Sequence, residues 1–275
     1  MPSELPVGAC DCHAHVFGPL DRFPFIAERS YTPAHKLPSD YHEMLRSIGL
    51  TRGVVVQPSV FGTDNAATLN AVKELGPNYR GIAVLRPEIG DRQLADLTSA
   101  GIRGVRLSDL TTGGVPLSQL ETMAARLKGS GWHIQIFANF SKDRELPARI
   151  AKLGVPVVID HLGIIDPAAS TNDPGFRAIV ALLRDGLAWV KLSGAYISSK
   201  EKLPYADVAP IASAYVAAAP DRLVWGSDWP HPAAPGAPPE DRSLLKLLAT
   251  WAPDAATRKQ ILVDNPTTLY GFPSP

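Results

Sequence analysis

Eight short apolar runs, each followed by a turn and then a segment with helical spacing, constrain this chain more than any other feature. They are CDCHAH (10–15), GVVVQPS (53–59), RGIAVL (80–85), GVRLS (104–108), HIQIFAN (133–139), PVVIDHLG (156–163), AWVKLSG (188–194) and RLVWGSDWPH (222–231). The segments between them predict helices over 39–49, 64–76, 91–100, 116–130, 144–153, 174–185, 205–219 and 240–250. Strand and helix in strict alternation imply a parallel sheet, because consecutive parallel strands need a crossover. Eight such units in 275 residues predict an α/β fold, a (β/α)8 TIM barrel, with residues 1–275 forming a single domain. The Pro- and Ala-rich stretch PHPAAPGAPPED (230–241) reads as the loop after the eighth strand, and Asn265-Pro266 as the start of a closing helix.

Active sites of such barrels lie at the C-terminal ends of the strands, and there the polar residues fall. Strand alternation places Asp11, His13 and His15 on one face of the first run, with Cys10, Cys12 and Ala14 on the other. The same period pairs Gln57 with Ser59, Arg106 with Ser108, Gln135 with Phe137, and Lys191 with Ser193. His161 ends the sixth run and Asp228 the eighth. Lys191 is expected either as a catalytic acid or as an ion-pair partner of Asp228 or Asp160. His35 and His42 are expected at the surface, and His231 either in the pocket wall or holding its loop.

Several classes are excluded. Cys10 and Cys12 are the only cysteines; two residues apart on a strand they lie roughly 6.5 Å apart, at the limit for a disulfide and with no loop to close. A zinc finger needs a second ligand pair that the chain lacks. Lys plus Arg and Asp plus Glu balance at 27 each, so no overall field favours nucleic acid or a membrane surface. With no signal-like N-terminus and no apolar run long enough to span a bilayer, a cytoplasmic protein is expected; oligomeric state is not legible.

An H-x-H pair on the first strand, a histidine ending the sixth and an aspartate ending the eighth resemble the amidohydrolase superfamily. DCHAHVFGP, FPF, YTP, GTDNAATL, RGVRLS, VIDHLG, WVKLSGAY, VWGSDWPHP and DNPTTLYGF, in this order from about residue 9 to 272, are similar to its branch of 2-pyrone-4,6-dicarboxylate lactonases and sugar-lactone enzymes. That resemblance implies opening of a cyclic ester in a small carboxylated molecule. Asp228 would be the base that activates water, and His13, His15 and His161 would polarise the carbonyl or hold the water. Arg103 or Arg106 would anchor a carboxylate, with Arg106 preferred on strand phase. Tyr31 and Ser59 would be further substrate contacts; Gln57, in phase with Ser59 on its strand, is expected as another from the strand period. Such chemistry is self-consistent: a carboxylate among cationic groups stays ionised, and donors meet the charge that develops on the carbonyl oxygen.

The resemblance implies catalysis with no required cofactor. The alternative is one divalent metal, Zn or Mn, on His13, His15 and Asp228. A two-metal site is disfavoured because Arg106 stands where metal-dependent relatives often carry a lysine, and the fifth strand has no histidine at its end. The dicarboxylate pattern also has basic or imidazole groups where this chain has Ile164, Phe61 and the segment SGAYISS. A singly charged lactone, or a sugar-acid lactone meeting Ser59, Gln57, Asn139 and Tyr196, is therefore expected. Hydrolysis and lactone isomerisation, in which a substrate hydroxyl replaces water, both remain open at this stage, as does a barrel that only binds a sugar acid.

Overall fold

The computed structural model describes residues 5–275. Its strands are β1 (Cys10–Ala14), β2 (Arg52–Val56), β3 (Tyr79–Ala83), β4 (Ile102–Ser108), β5 (His133–Phe137), β6 (Val157–Ile159), β7 (Ala188–Leu192) and β8 (Leu223–Trp225). All neighbours pair in parallel, in sequence order. Past β8 the chain turns back onto β1: Asp228 N–H donates to His13 O at 2.8 Å and His15 N–H to Trp229 O at 2.7 Å. Only glycine permits this approach at Gly226, where a Cβ would sit 2.6 Å from that of His13. The buried Asp11 carboxylate ties the same seam, accepting from Ser227 N–H (2.8 Å), Ser227 O–H (2.6 Å) and Tyr41 O–H (3.1 Å). The strands thus form the expected (β/α)8 barrel.

Helices occupy the predicted gaps, including Pro38–Ile48, Ala66–Leu75, Pro174–Arg184 and Asp241–Trp251. The segment 174–184 shows why. Asp173 caps it by accepting from Gly175 and Phe176 N–H, Pro174 opens its first turn, and Phe176, Ile179, Leu182 and Leu183 form the buried stripe. The expected helix over 205–219 is shorter, Ala209–Ala218, and a separate turn, Ala195–Ser198, follows β7.

Two apolar layers result. Outward-facing strand residues such as Val55, Ile134, Ile136 and Val190 pack with the helices, while Val54, Val56, Ile82, Val158, Trp189 and Val224 fill the barrel. Tyr270 and Phe272 plug its lower end, where Arg80 donates to Tyr270 O and Gly271 O and lies over the Phe272 ring at 4.5 Å.

Strand β1 departs from simple alternation. Between Asp11 and Ala14 its register against β2 slips by one residue, a β-bulge. Below the bulge Cys10 and Cys12 pack in the barrel interior, not on the helix-facing side as the two-residue period predicts. Asp11 turns outward to Tyr41 on the first helix. Above the bulge His13 and His15 point inward. Both thiols are free, with sulfurs 3.7 Å apart.

Candidate active site

At the C-terminal strand ends lies a cavity of about 250 Å³. Its polar wall is His15, Tyr31, Ser59, Arg106, His161 and Asp228, and its apolar wall includes Leu110, Phe137 and Ile197. A larger cavity of about 530 Å³ lies among Ile48, Leu245, Leu248 and Leu262 on the outside of the barrel. Among the described residues it is lined by no carboxylate or imidazole, whereas the smaller one gathers both.

Asp228 sits just past β8 with φ of 63°, a conformation disfavoured for most non-glycine residues and enriched at functional sites. Its Oδ1 is 3.5 Å from His13 Nε2, 3.5 Å from His15 Nε2 and 4.0 Å from His161 Nε2. Its Oδ2 accepts a 2.5 Å hydrogen bond from Tyr196 O–H. Burial pushes this carboxyl up, but the facing His161 and His13 rings outweigh burial and hold it well below the usual carboxylate range. It is a carboxylate at neutral pH, shielded from bulk water yet open to the cavity.

The imidazoles are held from behind. His15 Nδ1–H donates to Val56 O at 2.7 Å, since a carbonyl can only accept. His161, also in left-handed backbone (φ 51°), places Nδ1 3.0 Å from Ser193 Oγ. Gly194 makes room for that ring, because a Cβ there would lie 2.5 Å from Nδ1. Burial lowers the His13 and His161 pKa values, with Lys191 adding to the effect at His13, so both are neutral near pH 7.

Beneath them runs a buried ionic network. Asp160 Oδ2 accepts from Arg106 Nε at 2.9 Å and Gln135 Nε2 at 3.0 Å. Burial raises the Asp160 pKa, and the Lys191 and Arg106 cations more than reverse this, so it too is ionised. Arg106 lies 4.7 Å over the Phe137 ring. Its two terminal nitrogens make no hydrogen bond among the described residues, and the side chain faces the cavity. Ser59 Oγ is buried beside it with no hydrogen-bond partner among the described residues. Together they offer a planar cation and a hydroxyl to an anionic ligand. Tyr31, its pKa pushed up to about 12 by burial, adds a neutral hydroxyl.

Two expected contacts lie elsewhere. Arg103, at the start of β4, donates to Thr98 O and Ile102 O at the opposite end of the barrel, because it is one strand position out of phase with Arg106 and near the wrong end. Gln57 spends its amide on its own loop: Nε2 donates to Gly62 O and Asp64 O, and Oε1 accepts from Thr68. Lys191 contacts Asp160, at 3.5 Å, and not Asp228. Tyr196, expected to meet substrate hydroxyls, instead bonds Asp228; its position two residues past the seventh run was the available signal. His231 bonds Asp241 at 3.0 Å and anchors its loop. Of the positions expected to lack a basic group, Ile197 lines the cavity, while Phe61 packs against Phe25 at 5.2 Å.

The donor set also fits one divalent cation. His13 Nε2, His15 Nε2 and Asp228 Oδ1 lie 3.3 to 3.5 Å apart, close to the edge of a tetrahedron with metal–ligand bonds of about 2.0–2.1 Å. Spacing alone therefore accepts a metal there; the proton on His13 decides whether its lone pair is free.

The chain is 39% identical over 274 residues to a 4-sulfomuconolactone hydrolase of Rhizobium radiobacter, covering 97% of this chain and 91% of the relative. It is 32% identical over 270 residues to a D-galactarolactone isomerase of Agrobacterium fabrum, covering 97% and 92%. A crystal structure of a putative 2-pyrone-4,6-dicarboxylic acid hydrolase from Pseudomonas putida superposes with a TM-score of 0.83 at 31% identity, covering 98% and 99%. The amidohydrolase family model matches residues 10–272, and the chain belongs to the amidohydrolase family.

Proposed function

We propose that this chain is a cytoplasmic, metal-independent lactonase of one barrel domain, which hydrolyses the ring ester of a small lactone bearing one anionic group. The observation that carries the reading is the Asp228 carboxylate, buried, ionised and ringed by three imidazoles, in a cavity whose one permanent cation is Arg106. The relative named for hydrolysing 4-sulfomuconolactone supports a lactone as the substrate class.

Arg106 and Ser59 bind the substrate anion, and Phe137, Leu110 and Ile197 cover the ring. Asp228 orients a water molecule and takes one of its protons as the oxygen bonds to the ester carbonyl carbon. Imidazole N–H groups meet the negative charge on the carbonyl oxygen. The ring C–O bond then breaks, and the departing oxygen takes the proton, leaving a carboxylic acid and a hydroxyl. Tyr196 holds the unused oxygen of Asp228, so the other faces the water. If a divalent ion binds, His13, His15 and Asp228 would hold it, and it would supply Lewis-acid polarisation of the carbonyl.

The test is a panel of muconolactone (one carboxylate), its sulfonated derivative (two anionic groups), singly and doubly carboxylated pyrones and sugar-acid lactones, assayed in H₂¹⁸O with and without chelator. The expected result is ring opening of a singly charged lactone, one ¹⁸O in the new carboxylate and no effect of chelator. An isomeric lactone without ¹⁸O would replace hydrolysis by isomerisation. Turnover of dicarboxylated pyrones alone would refute the single-anion pocket, and loss on chelation would refute metal independence.

A further inference from the structure

Lys191 is fully buried, is not among the residues lining the active-site cavity and takes no part in the steps above. Its Nζ lies 2.6 Å from Gln135 Oε1, 3.1 Å from His13 Nδ1 and 3.5 Å from Asp160 Oδ1. The directions of these contacts are fixed by chemistry. Gln135 gives its amide hydrogens to Asp160 Oδ2, so it turns its oxygen to Lys191. An ammonium has three hydrogens and no lone pair, so Lys191 can only donate to His13 Nδ1. Asp160 Oδ1 is 3.3 Å from the same nitrogen but accepts no hydrogen bond among the described residues. The buried charges already balance: Lys191 and Arg106 against Asp160 and Asp228. His13 and His161 complete that balance as neutral groups.

A neutral imidazole that accepts at Nδ1 carries its hydrogen on Nε2. For His13 that hydrogen faces His15 Nε2 at 3.3 Å and Asp228 Oδ1 at 3.5 Å. His15, having given its Nδ1 hydrogen to Val56 O, presents a lone pair there. We propose that Lys191 is a positioning residue that locks His13 with its proton on Nε2, making the H-x-H pair of β1 a donor and an acceptor instead of two metal ligands. Without the ammonium, His13 Nδ1–H can turn to Asp160 Oδ1. That is the carboxylate–histidine arrangement that frees Nε2 for a metal. Lys191 therefore sets how readily this site takes a divalent ion, whichever lactone is the substrate.

Two substrate-free measurements test this, so its failure and that of the lactonase reading are distinguishable. In ¹⁵N-histidine-labelled, chelator-treated wild-type protein, long-range ¹H–¹⁵N correlation reads the His13 tautomer, assigned by the signal lost in His13→Asn. A proton on Nε2 is expected; a proton on Nδ1 overturns the proposal. Zinc affinity, measured by competition with a chromophoric chelator, is expected to tighten about 10–100-fold in Lys191→Met, the range associated with partners behind a metal-bound histidine. Unchanged or weaker zinc binding overturns the proposal. Should that variant fail to fold, the wild-type tautomer still decides.

Discussion

Replacing Arg106 by glutamine separates its two roles. Its Nε is committed to Asp160 at 2.9 Å, while its terminal nitrogens face the cavity. At 8% exposure, a paired guanidinium–anion contact there is largely desolvated, and losing it costs about 2–4 kcal/mol. At 1.4 kcal/mol per tenfold, this is a loss of roughly 30- to 700-fold in kcat/KM for an anionic lactone. The damage to the Asp160 network falls equally on every substrate. The assay is therefore kcat/KM for an anionic lactone and its uncharged carboxamide, with wild-type enzyme and Arg106→Gln. Wild type should prefer the anion by about the calculated factor, and the variant should show less than threefold preference. Equal losses on both substrates would refute Arg106 as the anion anchor and leave it a purely structural partner of Asp160.

Gln57→Leu removes three loop hydrogen bonds and should cost about 2–4 kcal/mol, lowering Tm by about 5–10 °C. KM should stay within twofold, as measured by calorimetry and steady-state kinetics; a large KM change with intact Tm would restore Gln57 as a substrate contact. Acid should destabilise the fold. Burial lowers the pKa of His133 to about 3, against about 6.5 unfolded, so its neutral form stabilises the fold above about pH 6.5 and this is lost as pH falls. Each such histidine contributes a slope of about 1.4 kcal/mol per pH unit. Asp11, pushed up to about 6 by burial, opposes this with one group between about pH 6 and 4. His133→Phe should flatten the unfolding free energy measured by denaturant titration by that single-histidine slope over pH 6 to 4. An unaltered slope would contradict the assignment.

Strand number, order and the ends that carry chemistry were legible because each strand is a short β-branched run followed by a helical stripe. His13, His15, His161 and Asp228 were legible because they close those runs. The bulge in β1 was not: a period of two is local, whereas the slip arises from how β1 registers against β2 and closes on the Ser227–Trp229 segment. It moves the cysteines into the barrel while keeping both histidines in the site. Left-handed backbone at His161 and Asp228 was likewise invisible, since neither is glycine. Pairings such as Tyr196 with Asp228 and Lys191 with His13 join residues 32 and 178 positions apart, a distance that only the closed barrel resolves. Arg103 and Gln57 show the converse. The family resemblance suggested Arg103 and strand phase suggested Gln57 as substrate contacts, but Arg103 lies at the opposite strand end and Gln57 spends its amide on Gly62, Asp64 and Thr68.

The central claim is that Asp228 activates the attacking water. Asp228→Asn keeps the shape and can still accept from Tyr196 O–H, but removes the base. Single-turnover ring opening of the lactone identified in the panel, followed at saturating enzyme, should slow by about 10²–10⁴-fold while substrate affinity changes by less than threefold. A rate within tenfold of wild type would contradict the claim.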